Sequence, residues 1–189
     1  MPHFTLSARR TASLRALALG AACLVAPAAH ADITGTVDAT ITLEAGCIVN
    51  GQNFSDGAAG ADFGTLSFGT QNTLFTQADG QVLSGGGGAF RIRCSPGITP
   101  ILSFDAGEND GAGAGAGLRA MENTGSAGRF VTYNLYSDAG RTIIIPIGGD
   151  VTLASDGSDQ LVNVYGRAFG EAALTPGTYS DTITVVIEL

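Results

Sequence analysis

The side chains best equipped for chemistry in this 189-residue chain are Cys47 and Cys94, together with a scatter of carboxylates, and the residue types missing around them narrow what they can do. The two histidines, His3 and His30, and a third cysteine, Cys23, all lie before residue 32, and there is no lysine anywhere. Beyond that point a serine or cysteine triad has no histidine base, the usual histidine zinc sites have no ligands, and there is no amine nucleophile. Asp105, Glu108 and Glu171 are the carboxylates one would try to pair for sugar hydrolysis, but no motif picks two of them out. The oxygen-rich run Asp105 to Gly111 suggests calcium. It fails the EF-hand spacing, because its twelfth position is Ala116, and reads better as a solvated hairpin turn. The glycine tracts Gly85–Gly88 and Gly111–Gly117 lack the lysine and threonine of a phosphate loop. Gly111–Gly117 alternates glycine and alanine in the manner of silk, is too short to stack, and is expected to be a mobile surface loop. No catalytic residue, metal or cofactor is expected.

The cysteines find their role through the chain's destination. Arg9, Arg10 and Arg15 precede an apolar run from Ala16 to Val25, and Ala29-His30-Ala31 supplies the small residues of a cleavage site, which defines residues 1–31 as an export signal. Cys23 invites a lipoprotein reading, but the large aliphatic residue expected three positions earlier is missing. In an oxidising compartment the two remaining cysteines most economically form one disulfide, Cys47 to Cys94. Without C-x-x-C spacing or a histidine to depress a thiol pKa, that bond is structural. Residues 32–189 carry six arginines against seventeen carboxylates, a net charge of −11, which argues against nucleic acid and anionic lipid as partners.

The elements that must position these residues read as strands. Short alternating or apolar runs recur at Asp62–Phe68, Ala89–Cys94, Thr99–Phe104, Phe130–Tyr136, Thr142–Ile145, Leu161–Phe169 and Thr182–Leu189. Glycine, asparagine and aspartate separate them, and no 3.6-residue period is sustained. A two-sheet, all-β, immunoglobulin-like sandwich follows, in one domain.

Two segments depart from a self-sufficient sandwich. From Ile33 to Leu43 every odd position is apolar or glycine (Ile33, Gly35, Val37, Ala39, Ile41, Leu43) and every even one is polar, with no turn signal to fold this strand onto its neighbour. At the other end, Ile183, Val185, Ile187 and Leu189 form one apolar face, and the sequence stops where such a sandwich continues into a last strand. A spare strand at one end and a missing one at the other make a polar, heterologous contact that builds open filaments. Burying Ile33, Val37, Ile41 and Leu43 at roughly 1.5–3 kcal/mol each gives on the order of 6–12 kcal/mol gross. A slip of one residue would drive Asp38 and the threonines inward, so one register is expected.

Several motifs strengthen this reading by resemblance. Gly46-Cys47 after the alternating arm, Phe63-Gly64-Thr65-Leu66-Ser67-Phe68-Gly69, Arg91-Ile92-Arg93-Cys94, Arg119-Ala120-Met121, Tyr133–Asp138, Val164-Tyr165-Gly166-Arg167 and Pro176–Thr182 together resemble the spore coat protein U domain. That family includes subunits of Csu-type, or archaic, chaperone-usher pili. The resemblance implies an incomplete immunoglobulin-like sandwich lacking its last strand. It also implies Ile33, Val37, Ala39, Ile41 and Leu43 as donor residues and Ile183, Val185, Ile187 and Leu189 along the acceptor edge. Neighbouring subunits, a periplasmic chaperone and an outer-membrane usher are the implied partners. The family's tryptophan-bearing segment appears here as Ile145–Asp150, without tryptophan. The expected organisation is a signal at 1–31, a donor arm at 32–45 and a sandwich domain at 46–189, in a subunit of a secreted fibre serving adhesion or biofilm growth. The alternative is a self-sufficient secreted coat or carbohydrate-binding module.

Overall fold

The computed structural model describes residues 32–85 and 87–189, so the expected export signal at 1–31 and Gly86 lie outside the described residues. The chain divides after Ile41, and the unit from Thr42 to Leu189 contains every strand among the described residues. No helix occurs among them. In chain order the strands are β1 (Gly46–Val49), β2 (Gln52–Ser55), β3 (Thr65–Leu66), β4 (Gln77–Leu83), β5 (Phe90–Cys94), β6 (Ile101–Phe104) and β7 (Arg119–Asn123). They continue with β8 (Phe130–Tyr136), β9 (Ile144–Ile145), β10 (Gly149–Thr152), β11 (Gln160–Val162), β12 (Tyr165–Phe169), β13 (Tyr179–Ser180) and β14 (Val185–Glu188).

These form an incomplete immunoglobulin-like sandwich. One layer is a large antiparallel sheet, β13-β7-β8-β12-β4-β3, with β9 also on β8. The other is split into two pieces, β11-β5-β1-β2 and β10-β6-β14. In β5 the alternation expected of a half-buried strand is complete: Phe90, Ile92 and Cys94 point inward, Arg91 and Arg93 outward. Phe90, Ile92, Leu102, Leu135 and Val164 are almost fully buried and form the centre of the core. Cys47 stands opposite Cys94 in the β1–β5 ladder, and the two are joined as a disulfide. A crosslink spanning 47 residues contributes about 4 kcal/mol in the chain-entropy model.

Several sequence expectations need correction. The run Leu161–Phe169 is two strands in different layers, β11 on β5 and β12 on β8 and β4, with Val164 buried at the crossing. Of Asp62–Phe68 only Thr65–Leu66 pairs, and of Thr142–Ile145 only Ile144–Ile145. The hairpin β1–β2 lies outside the runs that alternation marks, although its turn carries a local signal. Asn50-Gly51 joins its strands with φ of 49° and 85°, the positive values that a two-residue type I′ turn demands.

The Gly111–Gly117 tract lies at the surface, as its composition predicts, but it is packed against its neighbours. Side chains at Gly113 or Gly115 would collide with Thr132, and one at Gly117 with the backbone of Tyr133. The tract therefore lies directly on β8. Its amides continue the contact: Gly117 N–H donates to Thr132 Oγ1 (3.3 Å) and Leu118 N–H to Asn134 Oδ1 (2.7 Å). This cover explains why β8 is buried along nearly its whole length on both faces.

Candidate functional site

The two split pieces of the second layer end in β2 and β14, each an outermost strand. Between them runs a groove of about 1160 Å³. Phe54, Ser55 and the segment from Asp56 to Leu66 form one wall, and Tyr179 to Leu189 the other. Buried core residues, among them Phe90, Phe104, Leu135 and Val164, lie between the walls. A small-molecule site occupies ~300–1,000 Å³ in a rounded cleft. This one is larger and is lined by nine consecutive residues from Asp181, a run that includes all of β14, so it offers a strand edge along one side.

All four sequence-predicted edge residues line the groove. Ile183, Val185 and Ile187 are half-buried and alternate with exposed Thr184, Val186 and Glu188, while Leu189 is exposed at 37%. Their strand is fixed from behind by β6, with Val185 opposite Phe104 and Ile187 opposite Leu102. The outer edge of β14 carries no strand partner among the described residues. An apolar, unpaired edge is a template for strand addition.

The predicted donor residues are exposed too. Ile33 is 100%, Val37 96%, Ile41 82% and Leu43 83% accessible, and Gly35 and Ala39 are likewise exposed. Residues 32–45 form no ladder, although their pattern reads as a strand. Period-2 alternation states which side chains share a face; the strand itself needs a partner's N–H and C=O groups.

Polar groups to which the sequence assigned no bracing role hold this region. Arg119, 1% exposed, donates from Nε to Asp105 O (2.8 Å), from Nη1 to Ile145 O (3.0 Å) and from Nη2 to Phe104 O (3.1 Å) and Pro146 O (3.2 Å). Burial pulls its guanidinium below the ordinary arginine value, and Tyr133, Asp105 and Asp181 act in the opposite direction. Tyr133, on the groove, donates its hydroxyl to Asp181 Oδ2 at 2.6 Å. Burial first, then that bond to a carboxylate, raises the phenol far above its ordinary value, so it stays a donor at any working pH. On the outer face, Arg167 makes a two-pronged contact with Asp79 (2.7 and 3.0 Å), and Arg141 reaches Gly80 O and Gly166 O at 3.0 and 2.9 Å.

The carboxylates considered for hydrolysis or calcium sit in different surroundings. Asp105 Oδ1 accepts from the amides of Gly107 (2.9 Å) and Thr184 (2.8 Å). Glu171 lies against Gly115, with Oε1 buried and lacking a hydrogen-bond partner among the described residues. No group of three or more acidic, cysteine or histidine side chains is arranged to hold a metal among the described residues.

Known proteins resemble this chain along most of its length. Protein U of Myxococcus xanthus is 29% identical over 173 residues, covering 88% of this chain and 92% of that protein. Among solved structures, a chain from the chaperone–tip adhesion subunit pre-assembly complex of the archaic chaperone-usher Csu pili of Acinetobacter baumannii aligns with 19% identity and a TM-score of 0.42. That alignment covers 78% of this chain and 40% of the other. The Spore Coat Protein U domain matches residues 33–186, nearly everything from the alternating arm to the last strand, and the chain therefore belongs to the Spore Coat Protein U domain family.

Proposed function

We propose that this protein is the structural subunit of a secreted chaperone-usher-type fibre, in which the arm at residues 32–45 of one copy fills the groove of the next. The observation that carries this reading is the open apolar groove between β2 and β14 in a chain that also bears an exposed arm of matching period. Ile33, Gly35, Val37, Ala39, Ile41 and Leu43 would face the groove, along an edge made by Ile183, Val185, Ile187 and Leu189. Main-chain hydrogen bonds to β14 supply affinity and the alternating side chains supply register. A periplasmic chaperone would cover the groove in transit and an outer-membrane usher would catalyse the exchange. Export through the 1–31 signal and a role in adhesion or biofilm growth complete the proposal.

Deleting residues 32–43 should leave a secreted chain that no longer joins a fibre through its own arm. Ile41→Asp should act alike, because an unpaired charge carried into an apolar groove costs several kcal/mol. Electron microscopy of surface fibres and gel filtration of the exported protein read the outcome. Normal fibres from both variants would falsify the proposal; a stable, arm-independent monomer of the unaltered chain would favour the self-sufficient coat or carbohydrate-binding module.

A further inference from the structure

Two motifs 70-odd residues apart in sequence, the oxygen-rich loop after β6 and the Pro176–Asp181 turn, meet at one end of the groove. Asp181 begins the crossover by which the chain leaves β13 on the large sheet and enters β14 beside β6. Its Oδ2 accepts the hydroxyl of Tyr133 at 2.6 Å, and its Oδ1 accepts the amide of Glu108 at 2.9 Å and Asn109 Nδ2 at 3.3 Å. Asn109 Nδ2 also reaches Ala120 O on β7 at 3.1 Å. The crossover's far end is held by Asp105, whose carboxylate accepts Thr184 N–H at 2.8 Å and whose own amide donates to Thr184 O at 3.1 Å. Gly107, at φ 81°, passes under the Asp181 carboxylate so closely that any side chain there would strike it. Every contact ties the wall to the large sheet or to the loop behind it, so the Asp181 end is anchored without any help from a strand in the groove.

We infer that Asp181 is the positioning residue that holds this wall of the groove in its strand-accepting form before a strand arrives, with Tyr133 and the Asp105–Asn109 loop as its anchors. The inference rests on the arm-and-groove reading above and names the part of the chain that keeps the groove ready. An apolar groove is otherwise driven to close on itself, since burying Ile183 and Val185 against the opposite wall removes apolar area from water. A carboxylate holding three donors resists that movement, because displacing it breaks charge-assisted bonds.

The test uses the mature chain carrying Ile41→Asp, which cannot donate its arm, and a fluorescent synthetic peptide of residues 32–45. Binding by anisotropy is compared for this parent, for parent plus Tyr133→Phe and for parent plus Asp181→Asn. Amide hydrogen exchange is followed in the absence of peptide. The expected result is peptide binding by the parent, weakened about tenfold or more in both variants. Exchange should quicken at Glu108 and Thr184 while Val131 and Leu135 in the β8 core keep their protection, which a general loss of folding would not spare. Tyr133→Phe removes one oxygen, so it decides the matter if Asp181→Asn does not fold. Variants that bind within twofold of the parent overturn this inference alone. A parent that binds no peptide overturns the arm-and-groove reading and this inference with it.

Discussion

At the scale of single residues, the buried Arg119 is an internal fastener. Arg119 gathers four carbonyl oxygens from the end of β6 and from the Ile145-Pro146 corner, a task that needs a flat, forked donor. Arg119→Lys keeps the charge but cannot span four acceptors, and leaving buried carbonyls unpaired should cost on the order of 3 kcal/mol, measured by urea unfolding. Asp138 performs a smaller version of the same work, accepting the amides of Thr142 (2.9 Å) and Ile143 (2.7 Å). Those bonds, that of Ile143 foremost, hold its carboxyl below the ordinary value. A lowered folded-state pKa means stability that is present above the unfolded value and lost as pH falls through the folded one. The difference between the unaltered chain and Asp138→Ala should therefore be full at neutral pH and shrink from about pH 4 downward. A difference that stays constant to about pH 2 would speak against the carboxylate's role.

At the scale of elements, the glycine tract and the broken strands show where pattern and environment part. Gly113, Gly115 and Gly117 are a strip of backbone pressed on β8. Gly117→Ala would drive a methyl group into the Tyr133 backbone, and overpacking of that kind should destabilise the fold by about 1–3 kcal/mol by urea unfolding. Gly111→Ala, where a side chain meets open space but φ is 69°, should cost less. Strands with clear apolar alternation, such as β5 and β8, are legible in the sequence because burial alone dictates them. β4, written Gln-Ala-Asp-Gly-Gln-Val-Leu, is not. Its polar residues and Gly80 discourage a strand locally, yet β12 and β3 hold it from both edges, and Gly80 leaves room for Leu66 and the Ser67 carbonyl. Likewise nothing local marks Asn163-Val164 as the step between layers.

For the whole molecule, the open side of the sandwich matters most. An antiparallel strand can follow its neighbour through a short turn, so the sequence of residues 32–43 appended after Leu189 through a brief glycine-serine turn would lie beside β14 within one chain. With the original arm removed, this rearranged protein should run as a monomer on gel filtration. Its urea midpoint should exceed that of the arm-deleted chain by the equivalent of several kcal/mol, roughly the 6–12 kcal/mol of gross burial less the ordering of the arm. No gain in stability would count against the arm as the segment that fits the groove.

The sequence by itself determined the all-β character, the disulfide pairing of two cysteines and the apolar alternation at Ile183–Leu189. Each follows from local alternation or from elimination, and none depends on knowing what lies across the sheet. Only the tertiary structure decided that the second layer divides between β2 and β14, that a tract with the composition of a loose loop is packed against β8, and that the Asp105–Asn109 loop meets the Asp181–Thr184 crossover. These depend on which strands pair across long stretches of chain, and pairing is settled by the joint burial of both partners, information that no single segment carries.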